Sequence, residues 1–253
     1  MRKTLKNVVA IFFTVLFVLT LAACSNNKKT SQPKEKLPSA ATILNGAQNT
    51  KFKSMTATWT QTNDKEEALQ RAKAQYQKKP LVVFADFSTE SNHYKMWIDG
   101  KHNYMQMQGT ATNKWFKTKV TKASSYAQLT ADLAQSALLS FSQNSAKLFK
   151  VKKGNNGYLL TYSGNSKKMW KAVTQNSMIT SVIGIDLDNV KPYNTEIKIS
   201  TDKKYNLTKT TIDAAYKDDG QVKHLKLNID DINKNSNLKI PNTVTKSAVE
   251  LGK

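Results

Sequence analysis

Cysteine is nearly missing from this chain: Cys24 is the only one in 253 residues. An internal disulfide is thereby excluded, and the fold has to be held by its apolar core alone. Arginine is almost as scarce. Of 39 basic side chains only Arg2 and Arg71 are arginines, against 18 acids and a net charge of +21. Lysine is a strongly hydrated point charge, whereas base and bidentate phosphate recognition favours the guanidinium fork, so nucleic acid is not an expected partner. An anionic membrane surface or an anionic cell-wall polymer suits such a charge better, although a merely solvated lysine-rich surface accounts for it equally well. Long apolar runs are lacking too. Val8 to Ala23 is roughly 16 residues with two threonines in it, short of the ~20 that a permanent transmembrane helix needs. Enzyme signatures are missing: there is no G-x-S-x-G, no H-E-x-x-H, no Walker loop and no dinucleotide fingerprint, and nothing calls for a cofactor.

What is present begins with that apolar run. Arg2, Lys3 and Lys6 precede it and the small residues Ala22 and Ala23 end it, which is the layout of a secretory signal over residues 1–23. Leu21-Ala22-Ala23-Cys24 resembles the bacterial lipobox. The resemblance implies cleavage between Ala23 and Cys24 and a diacylglycerol thioether on the Cys24 sulfur. Two or three acyl chains of the palmitate kind, at ~0.8 kcal/mol per buried CH₂, would make membrane lipid a covalent and essentially permanent anchor. Loss of the signal leaves about +18 on roughly 230 residues, a length that fits one domain.

Residues 24–37 carry almost no apolar side chain and no periodicity, and read as the lipidated cysteine and a flexible tether of at most ~45 Å. A single domain is expected over 38–253. It opens with Pro38-Ser39 and a short helix carrying Ile43, Leu44 and Ala47. Met55, Ala57 and Trp59 then alternate with threonines, as in a half-buried strand. Residues 63–79 have the composition of a helix, with Asn63 as cap, Glu66 three residues on, a thin stripe of Leu69, Ala72 and Tyr76, and lysines before Pro80. That helix is expected to lie on the surface or to move as a flap. "LVVFADFST", "HYKMWI" and "HNYMQMQ" read as strands, with Asp99-Gly100 as a hairpin turn, and Trp115 to Val120 continues the sheet. A helical period returns over Ser125–Phe149, followed by a hairpin at Gly154–Gly157 and a helix with Met169, Trp170 and Val173. The last third is hairpins again, each with its apolar residues on one face: Ile197 and Ile199; Ile212, Ala214 and Tyr216; Leu225, Leu227 and Ile229. The predicted class is α+β, a curved, mostly antiparallel sheet forming an open half-barrel, with one solvated face and helices packed on its concave side.

"YKMWIDGKHNYMQMQ", "NKWFKTK" and the ending "LNIDDINKNSNLKIPNTV" resemble Gram-positive lipoproteins that share the half-barrel fold of LolA and of the mycobacterial lipoproteins LppX and LprG. That resemblance covers most of residues 38–250 and implies a cavity between sheet and helices that receives acyl chains. A helix at 63–79 departs from the plain hairpin it implies between the first two strands. The residues expected to line such a cavity are Met55, Trp59, Met96, Met105, Met107, Leu133, Leu138, Phe141 and Met169, methionine being a side chain that adapts to flexible chains. Any one of them, taken singly, is more often simply core.

The remaining chemistry is thin. His93 and His102 flank the Asp99-Gly100 turn as potential cross-strand neighbours for a weak metal site, but surface histidines, His224 included, are the default reading. Asp231, Asn233 and Asn235 imitate the start of a calcium loop, yet Ser236 and Asn242 stand where glycine and a bidentate glutamate are required, so no metal is expected. Asp186 and Asp188 are the only carboxylate pair suggestive of a glycosidase, with no second site to assign. The α/β alternation of a two-lobed importer receptor is not visible. A binding function, carrying a lipid or other apolar ligand, is therefore expected ahead of catalysis. The alternative is an envelope interaction protein that engages anionic polymer, lipid or a protein partner through its lysines.

Overall fold

The computed structural model of the protein describes residues 36–107, 114–120, 141, 143–174, 190–234 and 237–251. The signal, Ala23, Cys24 and most of the tether lie outside these residues, as do Leu133 and Leu138, most of the helical period at 125–149, and the pair Asp186 and Asp188.

The helix expected after Pro38 is α1, Ala40–Gln48, and Ser39 caps it by accepting a hydrogen bond from the Thr42 amide at 3.1 Å. Two strands follow where one was expected. β1 spans Ser54–Asn63 and β2 spans Ala68–Gln77, antiparallel from Ser54 opposite Gln77 to Thr60 opposite Arg71. The expected helix over 63–79 is thus a β-hairpin, and its misleading features have other uses. Asn63, read as a helix cap, turns the chain instead: its Oδ1 accepts from the amides of Lys65 and Glu67 at 3.0 Å each and its Nδ2 donates to Glu67 at 2.6 Å. Alanine, glutamine and lysine favour helices by tenths of a kcal/mol each, which strand pairing on both sides overrides.

β3 (Val82–Ser88), β4 (His93–Asp99), β5 (His102–Met107) and β6 (Phe116–Lys119) continue the meander. The β4–β5 turn is fixed by Asp99, whose Oδ1 accepts from the amides of Lys101 and His102, both at 2.7 Å. After the short α2 (Gln143–Ala146) come β7 (Lys150–Gly154), β8 (Gly157–Gly164) and α3 (Lys167–Thr174). Three long strands, β9 (Lys191–Asp202), β10 (Leu207–Asp218) and β11 (Gln221–Asp230), precede the helix α4 (Asn242–Ser247) and the strand β12 (Val249–Glu250). Asp219 and Gly220, both at positive φ, make the β10–β11 turn that the Asp-Gly pair predicts.

All these strands form one open, curved sheet in the order β12-β6-β5-β4-β3-β2-β1-β11-β10-β9-β8-β7. Every pairing is antiparallel except β12 with β6. The fold is α+β, with α1 on the inner face of β10 and α3 on that of β9. Their apolar faces meet Ile197, Ile199, Ile212, Ala214, Tyr216, Leu225, Leu227 and Ile229, all at most 4% exposed, in one core. Tyr216 reaches that core with its hydroxyl satisfied by Gln61 Nε2 at 2.6 Å.

The expectation of a fully solvated outer face needs correction. Val82, Trp97 and Tyr104 point outward and form a second apolar cluster with Val244, flanked by Phe84, Trp115, Leu238, Ile240 and Ala248. The C-terminal segment therefore covers part of the outer face and ends as the edge strand β12. Gln77 anchors it by accepting from the Leu238 amide at 2.9 Å. Residues 37–253 form one compact unit, and every fully buried member of both clusters lies between Ile43 and Val244.

Candidate functional site

Strand register brings the inner-face residues of β1 to β6 into three cross-strand rows. Met55, Tyr76, Val83, Ile98 and Asn103 make the first. Ala57, Ala74, Ala85, Met96, Met105 and Phe116 make the second, and Trp59, Ala72, Phe87, Tyr94 and Met107 the third. The four large apolar residues of the first row are closed into the core, at 5% exposure or less. Beyond Ala57, the second and third rows are not. Ala72, Ala74, Ala85, Phe87, Tyr94 and Met96 are half-buried, and Met105 is 38% exposed.

Shape follows from side-chain size. With strands ~4.8 Å apart, Ala57, Ala74 and Ala85 put three methyl groups side by side, and Ala72 adds a fourth beside Trp59. Larger side chains stand around them: Trp59 on one side, Phe87 and Tyr94 stacked with centroids 6.3 Å apart on another, and Met96 and Met105 on a third. Beyond Ala57, which is fully buried, the result is a shallow apolar trough floored by Ala72, Ala74 and Ala85. The Trp59 Nε1 is buried and has no hydrogen bond. A buried indole N–H ordinarily finds an acceptor.

The expected cavity residues fall into two groups. Trp59, Met96, Met105 and Met107 belong to the trough. Met55, Phe141 and Met169, at 2% exposure or less, sit in the packed core, where Phe141 meets Phe149 edge-on at 5.6 Å. Sequence reasoning missed Ala72, Ala74, Ala85, Phe87 and Tyr94. The alternation of Gln70, Ala72, Ala74 and Tyr76 against Arg71, Lys73 and Gln75 was the available signal.

The histidines are placed by carboxylates. His93 Nε2 lies 2.7 Å from Asp86, His224 Nδ1 lies 2.7 Å from Asp213, and His102 Nδ1 lies 3.7 Å from Asp99. The expected neighbourhood of His93 and His102 is not found. They occupy opposite ends of the β4–β5 hairpin, with Tyr94 facing Met107 and Ile98 facing Asn103. No group of three metal-ligating side chains occurs among the described residues. Asn233, second in the calcium-like run, is committed to the backbone: its Oδ1 accepts from the Lys53 amide at 2.6 Å and its Nδ2 donates to the Lys51 carbonyl at 3.0 Å. No helix among the described residues is long and apolar enough to cross a membrane.

The model of a family of unknown function, DUF6612, matches residues 27–249, which takes in every strand and helix described above up to the first residue of β12. The chain belongs to the DUF6612 family. Among solved structures, the crystal structure of the Mycobacterium tuberculosis lipoprotein LppX is similar at 9% identity with a TM-score of 0.38, the match covering 79% of this chain and 98% of that one. No curated protein matches the sequence. Within this DUF6612 chain, then, the site rests on its own geometry.

Proposed function

We propose that this protein is a non-catalytic binding protein that holds one or more acyl chains, or another extended apolar ligand, on the inner face of β1 to β6. The alanine-floored trough carries this reading. Trp59, Phe87, Tyr94, Met96 and Met105 are part-exposed apolar side chains gathered on one face, and a contiguous exposed apolar patch in a folded protein ordinarily marks a binding site.

The signal and lipobox pattern ending at Cys24 supports reading the protein as an extracytoplasmic lipoprotein tethered by a lipidated Cys24. Its ligand is of the same chemical kind as the membrane beside it. Ligand holding of this type needs no titrating group, metal or cofactor, and among the described residues the trough offers methyl, thioether and aromatic surfaces with the Tyr94 hydroxyl.

The test is native mass spectrometry with organic extraction on residues 25–253, a chain that retains the whole described core. An amphiphile co-purifying near one-to-one is expected. Ala74→Phe, which fills the centre of the trough, should abolish its retention without loss of the folded state. An apo mass that persists after incubation with membrane lipids would refute the reading. So would full retention of the ligand by Ala74→Phe.

A further inference from the structure

A second pocket lies at the end of the sheet where β1 begins and β2 turns into β3. It has a volume of about 560 Å³ and is lined by Lys51, Phe52, Lys53, Ser54, Gln77, Lys78, Lys79 and Asn233. That volume is in the range of small-molecule sites and equals the share of roughly twenty waters in the liquid. Its lining holds four lysines and no carboxylate. None of the four forms an ion pair with a described carboxylate, whereas Lys95, Lys117, Lys223 and Lys226 elsewhere on the sheet all do.

The frame beneath the ammonium groups is fixed. Lys78 donates its amide to the Lys53 carbonyl at 2.8 Å, which ties the two pairs of lysines together. Asn233 clamps the other side through Lys51 and Lys53, and Phe52, 4% exposed, anchors the segment in the core. Lys51 and Lys53 are both exposed on either side of the buried Phe52, and both line the pocket. Four cations held around one cavity repel each other, and a multivalent anion is the partner that removes this repulsion. Ammonium groups on flexible stems suit a phosphate, which they meet as point charges without a required fork geometry. The trough is a separate place: Met55 and Tyr76, both buried, stand between the two.

We propose that this pocket is a phosphate-binding site, taking the phosphate of an anionic phospholipid headgroup or of a small phosphorylated solute. The inference does not depend on the trough reading. Two variants of residues 25–253 test it. In one, Lys51, Lys53, Lys78 and Lys79 are changed to glutamine. In the other, the exposed Lys150, Lys152, Lys198 and Lys209 are changed to glutamine, which removes the same charge from β7, β9 and β10. Each is titrated by calorimetry with glycerol 3-phosphate and by sedimentation with vesicles of phosphatidylglycerol in phosphatidylcholine.

Binding of either probe is expected, weakened at least tenfold in the pocket variant and by no more than about twofold in the control. Vesicle binding alone assigns the site to a headgroup at the membrane, and glycerol phosphate binding alone assigns it to a solute. Equal losses in the two variants, or no binding of either probe by the unmodified chain, would overturn the proposal. Unchanged circular dichroism and melting temperature in the pocket variant separate a lost site from a lost fold.

Discussion

Replacing Gly46 by alanine sets two forces against each other. Gly46 lies inside α1, where alanine is favoured over glycine by about 1 kcal/mol, so propensity alone predicts stabilisation. The structure predicts the reverse. A methyl group at position 46 would stand 2.4 Å from Tyr205 Cβ and 3.2 Å from the Tyr205 carbonyl oxygen. Neither atom is the end of a flexible side chain, and carbon contacts need ~3.5 Å or more, so helix and turn must separate by about 1 Å. That movement disturbs two bonds that hold α1: Leu207 amide to Thr50 Oγ1 at 2.7 Å, and Gln48 Nε2 to the Phe141 carbonyl at 3.2 Å. It also loosens Ile43, Leu44 and Ala47, each at most 3% exposed. Overpacking of this kind costs about 1–3 kcal/mol and loss of good bonding about 1 more, so after the propensity gain a net destabilisation of ~1–3 kcal/mol is expected. For a domain of this size that is a fall of roughly 2–12 °C in Tm, readable by calorimetry. Tyr205→Gly provides the control, because it deletes the clashing Cβ at a residue with φ of 66° that glycine adopts freely. In that background Gly46→Ala should lose most of its penalty. A rise in Tm for Gly46→Ala in the unmodified chain would refute the packing assigned to α1.

Gly157→Ala should be more damaging, because a methyl there would fall 2.0 Å from the Thr201 carbonyl oxygen in the β8–β9 pairing; a loss of about 3 kcal/mol or more is expected in urea unfolding, and a loss under 1 kcal/mol would contradict the register. Burial raises the Tyr76 hydroxyl above its ordinary pKa, so the unfolded chain releases this proton first. Stability is then level below pH ~10 and falls as pH rises beyond it, a decline to which Tyr104 and Tyr216, also raised by burial, contribute. Tyr76→Phe should leave the pH 7 melting temperature nearly unchanged and flatten the alkaline decline measured from pH 9 to 11.5; an unaltered decline would mean that Tyr76 ionises as freely in the fold as outside it.

The strands that were legible in the sequence are those whose two faces differ in polarity. β9, β10 and β11 alternate Ile, Ala, Tyr and Leu inward with Lys, Asp and Asn outward, and a period of two leaves no other reading. β3 and β4 were legible as strands but not in their burial. "LVVF" and "MWI" are apolar on consecutive residues, the mark of a strand covered on both faces. The cover, Leu238, Ile240 and Val244, comes from a segment more than 130 residues away whose approach no local pattern encodes. The basic pocket was hidden for the same reason. Lys51 with Lys53, and Lys78 with Lys79, are two unremarkable pairs until β1 and β2 pair and Asn233 closes the end.

β2 was misread because its inner face is built from the residue with the highest helix propensity. Ala72 looks like part of a weak helical stripe with Leu69 and Tyr76, yet on a strand it lines up with Ala74 and Tyr76 on one face. A half-barrel lined throughout by Leu, Ile and Phe would fill its own interior, as the half under α1 and α3 does. Space on the inner face requires small side chains on neighbouring strands in the same row, and the register supplies them at Ala74 and Ala85, beside the fully buried Ala57. Alanine is a poor strand former, so its use at three paired central positions costs the sheet stability that Val or Ile would have provided. The two halves of the sheet thus spend their inner faces differently: one is closed by helices and carries the stability of the fold, and the other trades part of its packing for room.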